Sequence, residues 1–143
     1  MVILEPMNGF LKPQLLVALA FAVFFSACAS TMNISEELSP AELIQRAQEA
    51  MDRNSYNTAI RYYQALHERN RSNIDLMITA EYHIANIHYK QKKYDLARAE
   101  YNAVLEYYET PDEELLPQHF KILSNIVLKS IEEKENNRSI FKK

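Results

Sequence analysis

From Ser39 onward, apolar residues recur three and four positions apart, the spacing of one face of an α-helix, in blocks broken by short polar stretches. Ser39-Pro40-Ala41-Glu42 opens the first block with a capping residue, a proline suited to the first helical position and a glutamate that completes a capping box. Leu43, Ala47 and Ala50 then share a face, and Asn54, tolerant of the left-handed conformation, ends the helix. The second helix is predicted over Tyr56 to Asn70, burying Ala59, Tyr63 and Leu66. The third runs from Ile74 to Lys92 on Ile84, Ala85, Ile87 and His88, and the fourth from Tyr94 to Glu109 on Ala97, Tyr101 and Val104. Thr110-Pro111 stops it, because the residue before proline is pushed out of helical dihedrals. Asp112-Glu113-Glu114 reads as a loop or a helix start. A fifth helix from Pro117 to Lys134 buries Phe120, Leu123, Val127 and Ile131, and residues 136–143 form a polar tail whose Ile140 and Phe141 either dock or stay disordered.

The pattern repeats. Tyr56, Ala59 and Tyr63 return as Tyr94, Ala97 and Tyr101, each 38 positions on. Self-similarity at a period of a few tens of residues marks a stacked array. Each copy follows another helical block, so the unit is a helix–turn–helix hairpin. The predicted fold class is all-α, a short solenoid of about two and a half hairpins built from five helices.

Composition changes the picture at the N-terminus. Lys12 precedes an unbroken apolar run from Leu15 to Phe25 and then Ser26-Ala27-Cys28-Ala29-Ser30. A positive residue, a run of this length and a small-residue end describe a secretory signal over residues 1–27, and the run is short for a spanning helix. Either Met1 or Met7 can start it. Cys28 is the single cysteine, so an internal disulfide is excluded. Its place resembles a bacterial lipobox, with Phe25 where leucine is usual; in such proteins the cysteine becomes the lipidated first residue. Cleavage after Ala29 is the alternative, since Ala27-Cys28-Ala29 also fits the small-residue rule. Residues 28–38 are then a lipidated cysteine and tether, and residues 39–135 the helical domain. A net charge of −3 without a basic cluster argues against nucleic acid as a partner.

The small and aromatic positions resemble the tetratricopeptide repeat (TPR) family. Ala47, Ala59 and Tyr63 fill its eighth, twentieth and twenty-fourth places in the first copy; Ala85, Ala97 and Tyr101 fill them in the second, and Ser124 takes the eighth place in the third. Small residues are needed there because the two helices cross closely. The family period is about 34 residues, so 38 implies helices longer by about a turn. In that pattern the seventh and tenth residues of each first helix face the preceding repeat. They are Ile84 and Ile87, then Leu123 and Ile126; in the first unit they are Arg46 and Glu49, which marks a solvent-facing N-terminal end. The fifth helix would cap the other end. Two and a half units lie near the minimum of about three for a stable stack, so partner binding or homo-oligomerisation would add stability.

Long-period TPR hairpins behind a lipoprotein signal are similar to BamD, the TPR lipoprotein family of the outer-membrane β-barrel assembly machine, and to the TPR part of the periplasmic coordinator CpoB (YbgF). The resemblance implies a partner-binding groove on Ile44, Gln48, Met51 and Asp52, then Tyr82, Asn86, Tyr89 and Lys90, then Lys121, Asn125, Leu128 and Lys129. Rings, amides and ammonium groups suit an extended peptide. Lys121 and Asn125 also have the spacing with which some TPRs clamp a C-terminal carboxylate, although such pairs are common on solvated helices. No catalytic constellation is present: the four histidines lack ligand spacing, and there is no phosphate loop or nucleophile elbow. The reading is a non-enzymatic scaffold without cofactor or metal, lipid-anchored in a bacterial envelope with the outer membrane, periplasmic side, favoured by Ala29. It binds other envelope proteins, as in β-barrel assembly; the alternative is an adaptor for a solute transporter or cell-wall machinery.

Overall fold

The computed structural model describes residues 33–140; the lipobox-like Cys28, the signal segment and Phe141 lie outside the described residues. Five α-helices follow in order: α1 (Pro40–Asp52), α2 (Tyr56–Arg69), α3 (Ile74–Lys90), α4 (Tyr94–Glu106) and α5 (Gln118–Ile140). Short 3₁₀ turns at Tyr107–Glu109 and Glu113–Leu115 join α4 to α5. The described part is all-helical, as expected.

The capping box forms as read. The Ser39 backbone N–H donates to the Glu42 carboxylate at 2.8 Å, and the Glu42 N–H donates to Ser39 Oγ at 3.3 Å. This satisfies two of the N–H groups that a helix start otherwise leaves unpaired. Asn54 takes φ 55° after α1, and Lys92 takes φ 62° after α3. The two hairpins therefore turn through equivalent left-handed residues, one an asparagine that suits the conformation and one a lysine that does not. Asn73 Oδ1 caps α3 by accepting from the Leu76 N–H at 3.2 Å.

Each helix packs on its neighbour in sequence: α1 on α2, α2 on α3, α3 on α4 and α4 on α5, with a smaller contact between α3 and α5. Two apolar clusters result. The first gathers Leu43, Ala47, Ala50, Ala59, Tyr63 and Leu66 with Ala80 and Ile87 of α3; the second gathers Ile78, Tyr82, Ala85, Ala97, Tyr101 and Val104 with Phe120 and Ile131 of α5. Ala47, Ala59, Ala85 and Ala97 are all fully buried, consistent with close helix crossings where a larger side chain would wedge the pair apart. Ile84 and Ile87 do face the first hairpin, and Arg46 and Glu49 are exposed. Ahead of α1, Arg69 of α2 donates to the carbonyls of Ser35 (2.9 Å) and Ile34 (3.0 Å), fastening this segment to the helices.

The fifth helix departs from expectation in two ways. Its inner stripe is Phe120, Ser124, Val127 and Ile131, so Leu123 and Ile126 do not face the preceding hairpin; they are 39% and 58% exposed. The aromatic anchor decides this rotation. Phe120 buries its ring 4.8 Å from that of Tyr82, and Tyr108 donates its hydroxyl to the Pro117 carbonyl at 2.8 Å, fixing the helix entry. Burial of a whole ring outweighs burial of one more aliphatic group. Ser124 is fully buried in that stripe. Nor is α5 a polar cap, since Ile122 is 59% exposed beside Leu123 and Ile126. Second, the helix continues past Lys134 through the stretch assigned to a tail, to Ile140. Glu135 forms an ion pair with Arg98 of α4, and Lys134 reaches Tyr89 of α3, which hold this last part against the domain.

Candidate functional site

Most of the groove residues expected from the sequence lie on accessible edges of α1, α3 and α5. Gln48, Asp52, Lys90, Asn125 and Lys129 are exposed; Ile44, Met51, Asn86, Tyr89, Lys121 and Leu128 are half-buried. Tyr82 is the exception, a correction to the expected groove. It is 7% exposed, inside the second cluster, with its ring 5.7 Å from Tyr101 and 4.8 Å from Phe120. Burial pushes its hydroxyl pKa up. A tyrosine at this place is core because α5 lays a phenylalanine over it.

Tyr89 bridges two helices. Its hydroxyl lies 3.1 Å from Ser130 Oγ and also accepts from the Lys134 ammonium, which sits 4.6 Å above the ring. Those bonds from Lys134 and then Ser130 lower the phenol pKa by stabilising the phenolate form. The face of Tyr89 is thus engaged by the protein's own lysine. Lys121 is ion-paired with Glu113, and the Asn125 amide donates to the Lys121 carbonyl at 2.8 Å. This pair is therefore occupied within its own segment rather than presented as a carboxylate clamp.

On the side formed by α2, α3 and α4 lies a cluster that the sequence did not suggest. Glu81 Oε1 accepts from the Tyr107 hydroxyl at 2.8 Å and lies 2.8 Å from His67 Nε2. Burial first, and then this bond to a carboxylate, raises the Tyr107 pKa to about 12. Glu81 and Ala103 both line two neighbouring clefts of about 340 and 440 Å³, the first with Gln64, Ile84 and Glu100, the second with Ile74, Glu106 and Tyr107. Beneath them His88 Nδ1 lies 2.7 Å from Glu100 Oε2. His67 and Glu81 come from α2 and α3 and Tyr107 from the 3₁₀ turn that follows α4, and no local spacing announces them; only the hairpin geometry brings them together. The Glu81 carboxylate already holds both partners, so the cluster tightens the stack.

His83 takes a different role. It lies in a row of rings, 4.9 Å from Tyr63 and 6.1 Å from Phe120. Burial, then the charges of His119 and Lys90, lowers its pKa to about 4. No group of three or more His, Cys, Asp or Glu suited to a metal ion occurs among the described residues. No helix among them is long and apolar enough to cross a membrane.

Over 131 residues the chain is 33% identical to an uncharacterized protein of Treponema pallidum (strain Nichols), a match covering 90% of this chain and 52% of that protein. The chain thus spans about half the length of the curated relative it matches. No protein-family model matches the chain, and no solved structure does.

Proposed function

We propose that the protein is a lipid-anchored scaffold of TPR-like hairpins that binds other proteins of a bacterial envelope, in the manner of the β-barrel assembly lipoproteins its repeat resembles. The observation that supports this most is the serial packing, in which each helix is held by its neighbours in the chain. Such arrays enclose no central reaction chamber and offer long helix edges as binding surfaces. The accessible edges of α1, α3 and α5 carry amides and charges of both signs at Gln48, Asp52, Asn86, Lys90 and Lys129, and Ile44, Met51 and Leu128 on the same helices are half-buried. Polar rims around apolar contacts are the usual make-up of a protein-binding surface.

The test is crosslinking in native membranes followed by affinity capture and mass spectrometry, with Cys28 intact, with Cys28→Ser, and with Asn86→Glu/Lys90→Glu/Lys129→Glu. Capture of the same envelope proteins by the intact chain, lost or strongly reduced in both variants, is the expected result. Equal capture by all three forms overturns the reading.

A further inference from the structure

Residues 132–137 of α5 follow the buried Ile131 and include no buried side chain. Polar contacts tie them to the domain instead. The Lys134 ammonium donates to the Tyr89 hydroxyl and sits over two rings, 4.6 Å from the centroid of Tyr89 and 5.8 Å from that of Tyr94. One residue on, Glu135 pairs with Arg98 of α4, the two side chains 38% and 34% exposed. Tyr89 is the one ring left for a partner on the expected groove, because Tyr82 is core. Tyrosines carry a large share of the energy at protein-binding surfaces, yet here the protein's own lysine covers the ring. We infer that residues 132–137 form an autoinhibitory strap, closed when Lys134 lies on Tyr89 and opened when a partner takes that ring.

The strap regulates the surface assigned above to partner binding, and so depends on that reading. A cation over exposed rings and an exposed ion pair are each weak contacts. A ring taken up whole by a partner is among the strongest that an interface makes. A helix end without buried side chains also opens locally at small cost. The rest of α5 stays in place, because Phe120, Val127 and Ile131 are packed into the second cluster. The closed strap therefore lowers apparent affinity in proportion to the fraction of molecules that are open.

The full chain, purified in detergent, tests the opening, and native membranes with a photoreactive residue at Asn86 test its effect. Hydrogen exchange is expected to be faster at 132–137 than at 120–131. Glu135→Lys, which sets a second cation against Arg98, is expected to speed exchange at 132–137 alone. In membranes the same change should raise the adduct yield from position 86 about fivefold, as for a strap open in about one molecule in five. Lys134→Ala, which uncovers the ring, should raise it likewise, and adding Arg98→Glu to Glu135→Lys should return the yield to the wild-type level. Exchange at 132–137 as slow as at 120–131, or a yield that neither variant raises, overturns the strap. Adducts absent from position 86 in every form overturn the scaffold reading, and exchange then decides alone whether the strap opens.

Discussion

His83 lies flat against Tyr63, ring centroids 4.9 Å apart and planes 8° from parallel, and so joins α3 to the first hairpin. An imidazole in that position stays neutral, with its pKa lowered to about 4 by burial. In the unfolded chain the value is about 6.5. The unfolded state therefore takes up a proton first as pH falls. The stability tied to the neutral ring is complete above about pH 6.5 and is lost as pH falls toward 4, by about 3 kcal/mol at most. Denaturant unfolding of the wild type at pH 7, 5.5 and 4 should show that loss, and His83→Phe should flatten the slope. An identical slope in the variant would contradict the assignment.

Tyr82 and Tyr89 should separate cleanly. Tyr82→Ala removes a buried ring and is expected to cost about 3 kcal/mol or more, in the range of large-to-small aromatic truncations. Tyr89→Ala loses a shared hydroxyl and a cation–π contact and should cost about 1 kcal/mol. Chemical denaturation of each variant reads the difference; equal costs would mean that Tyr82 is a surface residue after all.

Two buried hydroxyls, Ser124 Oγ and that of Tyr101, have no hydrogen-bond partner among the described residues. Removing an unsatisfied buried hydroxyl relieves its desolvation cost. Ser124→Ala and Tyr101→Phe should each raise stability by about 1 kcal/mol, seen as a higher denaturation midpoint at unchanged slope. A lowered midpoint would show that the hydroxyl is satisfied.

Lys92 sits at φ 62° in the turn between α3 and α4. A residue with a Cβ is disfavoured there by about 1 kcal/mol, and glycine is not. Lys92→Gly is expected to raise the thermal midpoint, despite the added flexibility of the unfolded chain, and more than Asn54→Gly does. If both lower it, the turns are not left-handed.

Much of the fold was legible because the residues that build each hairpin are close in sequence. Ser39 and Glu42 cap α1 three positions apart, and Ala47, Ala59, Ala85 and Ala97 are buried, as their helical spacing led one to expect. The fifth helix was less legible because its rotation is decided at long range, by Phe120 on Tyr82 and Glu135 on Arg98. The same distance hid the His67–Glu81–Tyr107 cluster, which no helical periodicity encodes. Asn86 and Lys90 came from the repeat resemblance; the structure leaves Lys90 exposed and Asn86 half-buried. Tyr82 was misplaced because the ring that covers it comes from a helix two elements later.

The most direct test of the scaffold account is site-specific photocrosslinking in native membranes. A photoreactive residue at Asn86 reports on the proposed binding edge, and one at the exposed Asn102 of α4 reports on another surface. The account predicts discrete adducts with envelope proteins from position 86 and none from position 102. Adducts from position 102 alone, or from neither position, would contradict it.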